Sequence, residues 1–351
     1  MAVTDPIIDP IIDPKKPFAV ILLNLGGPDS TKAVRPFLQN LFSDRSIINL
    51  PMQPILARII SRRRAKKVVE RYEAIGGGSP ILELTQAQAD LLQRGLKDAG
   101  LDCRTYIGMS YWHPFIRETV DRIVKDGYEQ ILAFSLFPHF SLATTGACLD
   151  ELKKALIGRR KAVKLSIIDA WYDDKAYIRA LTASIKEGLD RFDADRRDRV
   201  TVLFSAHSLP QDFVDRGDPY PDHIAATIKG VLAELGPVNW RLAFQSRSGP
   251  VKWMKPQTDE VIKKLAAAGV KNLLVVPISF VSDHIETLYE IDIMYKELAL
   301  ANGVEVFERS PSLNDSPLFI KALTGIALNK LGLSEKAAAF YPKIQPPASS
   351  K

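Results

Sequence analysis

The feature that most constrains this chain is an alternation of short apolar runs with longer amphipathic ones, made four times in each half. The apolar runs of the first half lie near 18–25, 103–109, 129–136 and 163–168, those of the second near 199–205, 240–245, 271–278 and 304–308. Between them, stretches such as 114–125, 173–192, 222–235 and 258–267 read as helices. Strand and helix in strict alternation make a parallel sheet covered by helices on both faces. The expected fold class is therefore α/β, with two similar doubly wound domains, each a four-stranded parallel sheet flanked by helices. A faint internal repeat agrees, because Arg117–Phe137 aligns without a gap on Asp259–Ser279, with Gly127 and Gly269 in register.

A length of 351 residues suits about two domains. The expected layout is a mobile N-terminal arm over 1–16, a first domain over 17–172 and a second over 173–314. A C-terminal helix over 315–333 and a tail over 334–351 follow. The arm repeats a Pro-punctuated PIID unit, and the tail from 341 is rich in Pro and Ser. A body 46% hydrophobic and 25% charged is too apolar for disorder. The net charge of +6 favours an anionic lipid surface over nucleic acid, which needs a denser basic stripe. Cys103 and Cys148 stand far apart with no C-x-x-C pair, which argues against a disulfide framework or zinc site and for a reducing compartment. No apolar run approaches the length of a membrane span, and the N-terminus has neither a basic leader nor a continuous apolar core. The expected location is the cytoplasm, with peripheral contact to the inner face of the cell membrane.

The chemistry concentrates in 277–292, PISFVSDHIETLYEID, which leaves an apolar strand and enters a helix. Asp283 is placed to cap that helix, with Glu286 as its capping-box partner. Glu286 and Glu290, at i and i+4, share a face, and two like charges there call for a metal, protons or a cationic substrate. Ligands of open α/β folds bind at such strand ends. A solvated first turn, its acids favoured by the helix dipole, is the plainer alternative. His207 likewise follows a strand directly, in the turn SAHSLP, where it is either a base or a turn histidine bonded to backbone.

Other stretches are less specific. NLGGP at 24–28 reads as a tight turn before a helix capped by Ser30, and it is neither a dinucleotide fingerprint nor a Walker loop. In 52–72, Ile55, Leu56, Ile59 and Ile60 form an apolar stripe on a short helix, followed at once by Arg62, Arg63, Arg64, Lys66 and Lys67. Such a patch suits an anionic membrane surface, or an apolar ligand whose carboxylates need cations, and an ordinary amphipathic helix with a solvated basic end is the plainer alternative. Gly76–Gly77–Gly78–Ser79 is a hinge or a close approach to ligand. His139 has no acid neighbour and reads as a surface or hydrogen-bonded histidine.

Taken together, FSAHSLP (204–210) and SDHIETLYE (282–290) closely resemble the ferrochelatase family. LLNLGGPDS (22–30), IGGGSPI (75–81), ATTG (143–146) and GPVKWMKPQTDE (249–260) extend the resemblance over about 18–322. It implies two domains around a porphyrin cleft, with the C-terminal helix returning to the first. The implied reaction inserts ferrous iron into protoporphyrin IX, forming protohaem and releasing two protons, as the last step of haem b synthesis. His207 and Glu286 would be catalytic and contact the metal, with His284 and Glu290 beside them. The turn at Leu25 would line the cleft, Arg64, Lys67 and Ser79 would meet the propionates, and 52–72 would be its membrane-facing lip. Tyr111, Phe137, Trp253 and Trp171 would be the aromatic walls that bend the ring. Ferrous iron would be substrate, with no permanently bound cofactor. Leu142 stands where some relatives place a cluster-ligating cysteine, and their C-terminal cysteines are missing, so no iron–sulfur cluster is expected. Ser110 and Met294 replace a basic residue and a carboxylate of some relatives. The implied partners are the porphyrin, the iron, an anionic membrane and the preceding haem-pathway oxidase. The competing readings are a coproporphyrin ferrochelatase, a cobalt chelatase of the same fold and a non-catalytic two-lobed tetrapyrrole binder.

Overall fold

The computed structural model describes residues 7–8, 12–45, 52–158, 163–249 and 251–340. After a two-residue strand β1 (Ile7–Ile8), the four apolar runs of the first half form β2 (Phe18–Asn24), β3 (Cys103–Met109), β4 (Gln130–Ser135) and β5 (Lys164–Ile168). The second half forms β6 (Val200–His207), β7 (Asn239–Gln245), β8 (Asn272–Val276) and β9 (Val306–Arg309). Every pairing is parallel, in the orders β1-β5-β4-β2-β3 and β7-β6-β8-β9. All of β2, β4 and β8 is buried, as strands covered by helices on both faces must be.

Without β1 the two sheets have one topology. In each, the first strand lies between the second and the third, and the fourth pairs outside the third. The sequence repeat keeps this phase, because helix Ile116–Lys125 and β4 align with helix Thr258–Ala267 and β8. Gly127 and Gly269 end those helices at φ 88° and 87°, a left-handed turn that a side chain would strain. A second correspondence was not visible in the sequence. After β4 comes a π-helical turn, Leu142–Gly146, and after β8 a π-helix, Glu286–Tyr295.

Three local expectations change. The arm before residue 17 is tied to the body: Ile7 and Ile8 pair with Lys164 and Leu165, Ile12 is buried, and Asp13 N–H donates to Gln130 Oε1 at 2.8 Å. The remaining arm residues, and the tail from 341, lie outside the described residues. Ser30 does not cap its helix; its hydroxyl donates to the neighbouring Asp29 carboxylate instead. The helix of the lip is not short but runs unbroken from Gln53 to Glu73, because Ala, Arg, Lys and Glu beyond the apolar stripe are good helix formers.

Helix Pro317–Lys330 packs on Lys175–Asp190 and on Ile81–Asp98 of the first lobe. Its approach to the first lobe is close, since a Cβ on Gly95 would come within 2.7 Å of Thr324 Oγ1. One apolar cluster runs through this junction and contains Trp171, Tyr177, Phe204 and Phe319. In a sheet of this strand order the connections reverse direction between the first and third strands, opening a crevice at their carboxyl ends. The two lobes place those crevices, beyond β2/β4 and β6/β8, on one cleft.

Candidate active site

The cleft has a volume of about 2090 Å³ and takes residues from all four switch-point strands: Leu25 after β2, Phe137 after β4, His207 ending β6, and Ser279 and Phe280 after β8. The turn after β2 is left-handed at Gly26 (φ 81°), where a Cβ would meet Met109 Sδ at 2.9 Å. Leu25 C=O then accepts from Tyr111 N–H at 3.0 Å, which sets Tyr111 beside it. Tyr111 is buried and donates its hydroxyl to Asp44 at 2.7 Å, so it serves the cleft as an apolar wall.

His207 is held from three sides. Its N–H donates to Ser279 Oγ at 2.8 Å and its C=O accepts from Tyr220 Oη at 3.0 Å. Its Nδ1 lies 2.7 Å from Ser208 C=O. A carbonyl only accepts, so Nδ1 carries a proton, and in the neutral ring Nε2 holds the lone pair, with no hydrogen-bond partner among the described residues. The imidazole stands on the cleft wall.

The acid row is π-helical from Glu286 to Tyr295, a rare conformation that clusters at functional sites. Glu286, Glu290 and Met294 all line the cleft. Asp283 does not cap this helix, and Glu286 does not reach back to it. Asp283 instead accepts from Thr287 Oγ1, Ser312 Oγ and Asn314 Nδ2 and lies 3.0 Å from Arg309 Nη1. Burial opposes its charge, but Arg309 and these three donors outweigh burial and hold its carboxyl below the usual range.

Glu290 accepts from Ser246 Oγ at 2.5 Å and from Gln245 Nε2 at 3.2 Å. Burial, then the neighbouring Glu286 charge, raise its affinity for a proton. Glu286 is different. Its Oε2 is buried with no hydrogen-bond partner among the described residues, and His284 Nε2 lies 3.6 Å away. A buried carboxylate oxygen in that state costs free energy unless a proton or cation reaches it.

Leu25, Arg64, Tyr111, Phe137, His207, Trp253, His284, Glu286 and Glu290 therefore share the cleft. Among the described residues, Lys67 and Ser79 are not on its wall: Lys67 is exposed on the helix, and Ser79 lies behind His284, 2.7 Å from its Nδ1. Trp171 is not there either. Its indole N–H donates to Ser135 C=O at 2.8 Å and its rings pack edge-on to Tyr177 and Phe134, which makes it core. His139 is buried and bonded to Thr227 Oγ1, and burial, then His223, depress its pKa to about 3. Trp253 donates its indole N–H to Ser248 C=O, and Arg64 donates to Ser248 Oγ, so one loop joins the wall to the lip.

Arg71 was missed. It lines the cleft seven residues after Arg64, two turns along the same helix, and this spacing was its only signal. Its guanidinium stands 5.3 Å over the Tyr289 ring, and its buried Nε has no partner. Burial and the Arg71 charge lower the pKa of Arg64. Gln245, Ser246 and Ser279, which hold Glu290 and His207, carried no sequence signal at all.

Two like-built parallel lobes thus enclose one large cleft, and the second lobe sets His207 and the carboxylate row together on its wall. The family model for ferrochelatase matches residues 17–331. The ferrochelatase of Geotalea uraniireducens (strain Rf4) is 53% identical over 311 residues, covering 88% of this chain and 96% of that one. That of Rippkaea orientalis (strain PCC 8801 / RF-1) is 44% identical over 339 residues, covering 95% and 87%. The chain belongs to the ferrochelatase family, whose members are enzymes that insert metal into porphyrin. Among solved structures, SirB from Bacillus subtilis with Fe3+ shares the fold at a TM-score of 0.54 and 15% identity, over 91% of this chain and 98% of that one.

Proposed function

We propose that this ferrochelatase inserts Fe2+ into protoporphyrin IX to form protohaem, the last step of haem b synthesis, with His207 and Glu286 as its catalytic residues. The observation that carries this is the pairing, in one cleft, of the free His207 Nε2 with the buried, unpartnered Glu286 Oε2. Metallation breaks two pyrrole N–H bonds and strips water from the ion. His207 Nε2 accepts one proton. Glu286 offers the iron a weak oxygen ligand, and Glu290, raised in proton affinity beside it, receives the second proton. Weak ligation is required, because a tight site would retain the ion. Leu25, Tyr111 and Phe137 from one lobe and Trp253 from the other supply the apolar walls between which the ring bends, while Arg64 and Arg71 face its carboxylates.

The reaction needs no permanently bound cofactor. Leu142, where some relatives carry a cluster cysteine, is an exposed apolar side chain at the cleft edge. We place the enzyme in the cytoplasm, in peripheral contact with an anionic membrane through Met52, Ile55 and Ile59, where it could take its ring from the preceding oxidase. One observation favours a second reading: Arg45, Arg64 and Arg71 all line the cleft, which also suits the four carboxylates of coproporphyrin.

The test is anaerobic. Protein, Fe2+ and protoporphyrin IX are mixed and loss of porphyrin fluorescence is followed against Glu286→Ala, with coproporphyrin and Co2+ in parallel. Catalytic loss in the wild type alone supports the proposal. Faster turnover of coproporphyrin establishes the second reading, and porphyrin binding without turnover of either ring or metal refutes both.

A further inference from the structure

Ser79 is attached to the site by one hydrogen bond. Its Oγ lies 2.7 Å from His284 Nδ1, and it also accepts from Ile81 N–H at 3.2 Å. With one lone pair engaged by that N–H, the hydroxyl proton has one acceptor among the described residues, Nδ1. The neutral imidazole then carries its own proton on Nε2, the atom 3.6 Å from Glu286 Oε2. We infer that Ser79 is a positioning residue that fixes the tautomer of His284 and turns its Nε2–H towards the Glu286 carboxylate.

Three observations support the assignment. His284 lines the cleft, whereas Ser79 does not, so the serine acts from behind the imidazole. Ser79 N–H donates to Pro28 C=O at 2.8 Å, which anchors the serine to the turn after β2. Gly27 of that turn closes the third side: a Cβ there would stand 2.7 Å from His284 Cε1 and 2.8 Å from Ser79 Cβ and Oγ. The first lobe thus supplies a fitted socket for a side chain of the second. The two cleft histidines are then held in opposite tautomers. His207 presents a bare Nε2 to the ring, and His284 presents an Nε2–H to the carboxylate. Such partners behind a reacting group orient it and set which nitrogen bears the proton. An unpartnered, buried Oε2 is where an oriented donor dipole has the largest effect.

The inference rests on the proposed reaction, but its first test does not. In protein labelled with 15N on histidine, His284 should show the Nε2–H pattern in the wild type and lose it in Ser79→Ala. Ser79→Thr, which keeps the hydroxyl, should retain it. In the chelation assay, Ser79→Ala should lower kcat about tenfold with the porphyrin Kd unchanged, as loss of a partner behind a ligand typically does. Gly27→Ala should produce the same kcat loss, by pushing the imidazole and the serine hydroxyl apart. A weaker porphyrin Kd with kcat unchanged would make Ser79 a carboxylate contact and overturn the inference. An unchanged His284 tautomer in Ser79→Ala would overturn it equally. Absence of chelation by the wild type would count against the proposed reaction alone, since the nitrogen signals are read without turnover.

Discussion

Arg309 meets Asp292 through two parallel hydrogen bonds, Nε to Oδ1 at 2.8 Å and Nη2 to Oδ2 at 2.9 Å. Its third nitrogen, Nη1, lies 3.0 Å from Asp283 Oδ1. One guanidinium at the end of β9 therefore holds a carboxylate just before the π-helix and another inside it, and His284, Glu286 and Glu290 lie between them. Stripping one partner from a mostly buried pair costs about 3–5 kcal/mol, because the remaining charge is left uncompensated. Arg309→Ala should lower the unfolding free energy by an amount of that order and reduce chelation. Arg309→Lys should recover only part of both, since an ammonium cannot bond a carboxylate along two parallel lines.

The pH dependence of that loss has a definite sign. Asp283 is more acidic in the folded state than in the unfolded chain. Its contribution is fully present above the unfolded aspartate value of about 3.9 and disappears as pH falls through the lower folded value. The deficit of Arg309→Ala, measured by denaturant titration, should be full at neutral pH and shrink below about pH 4. A deficit that grows on acidification would contradict the electrostatic origin.

His207→Ala and Glu286→Gln separate binding from chemistry. His207 has its Nδ1 and backbone engaged in fixed bonds, so the alanine removes the proposed base and leaves the strand end in place. Glu286→Gln keeps the shape of the side chain and removes its charge. Removal of a positioned acid or base typically costs about 10²–10⁴ in rate. Each variant should bind porphyrin like the wild type, by fluorescence titration, and lose at least a hundredfold in kcat. Weakened porphyrin binding with kcat intact would move both residues from the chemistry to the cleft wall.

Much of the fold was legible because strands covered on both faces must be continuous apolar runs, and the two sets kept the same phase. The carboxylate row was legible for a related reason, since a spacing of four keeps Glu286 and Glu290 on one face. The same spacing suits an α-helix and a π-helix alike, so it could not reveal which one forms, and the capping box expected at Asp283 failed there. Its true partner, Arg309, returns on a strand beyond the helix, and no local pattern announces that. Ser79 and Lys67 sit in suggestive company, a glycine run and a basic run. Yet the socket around Gly27 and the rotation of one helix decide that neither reaches the cleft. Trp171 shows the reverse error: an aromatic at a strand end is core whenever a helix such as Pro317–Lys330 covers it.

Glu151 should make the enzyme less stable as pH rises. It lies in a small pocket with Asp44 and Ser110. Burial, opposed by a hydrogen bond with Ser110 and reinforced by Asp44, lifts its pKa to about 7. Between the unfolded glutamate value of about 4.3 and the folded one, the folded state holds a proton that the unfolded chain has released. Stability therefore falls with rising pH through that window and levels off above it. Glu151→Gln should raise Tm at pH 8 and leave it unchanged at pH 4. A lowered Tm at pH 8 would mean that the charged form is the one the pocket stabilises.

The lip offers the last test, which concerns where the enzyme works. Ile55 and Ile59 stand one turn apart on helix Gln53–Glu73 and are 58% and 41% exposed, with Met52 at its start 69% exposed. Arg62, Arg63, Lys66 and Lys67 are exposed on the same helix just beyond them. Val251 and Leu142 are also exposed, and both line the cleft, as does Ile60 of the same helix. Exposed apolar side chains with a basic flank fit the interface of an anionic bilayer, where each buried CH₂ contributes about 0.8 kcal/mol and each cation near the surface about 1 kcal/mol. No helix among the described residues is long and apolar enough to cross a membrane. Wild-type protein should float with vesicles containing phosphatidylserine. Ile55→Ser with Ile59→Ser should lower the floated fraction several-fold, raised salt should lower it further, and turnover of dissolved porphyrin should be unaffected. Equal flotation of wild type and double variant would assign the lip to the porphyrin alone.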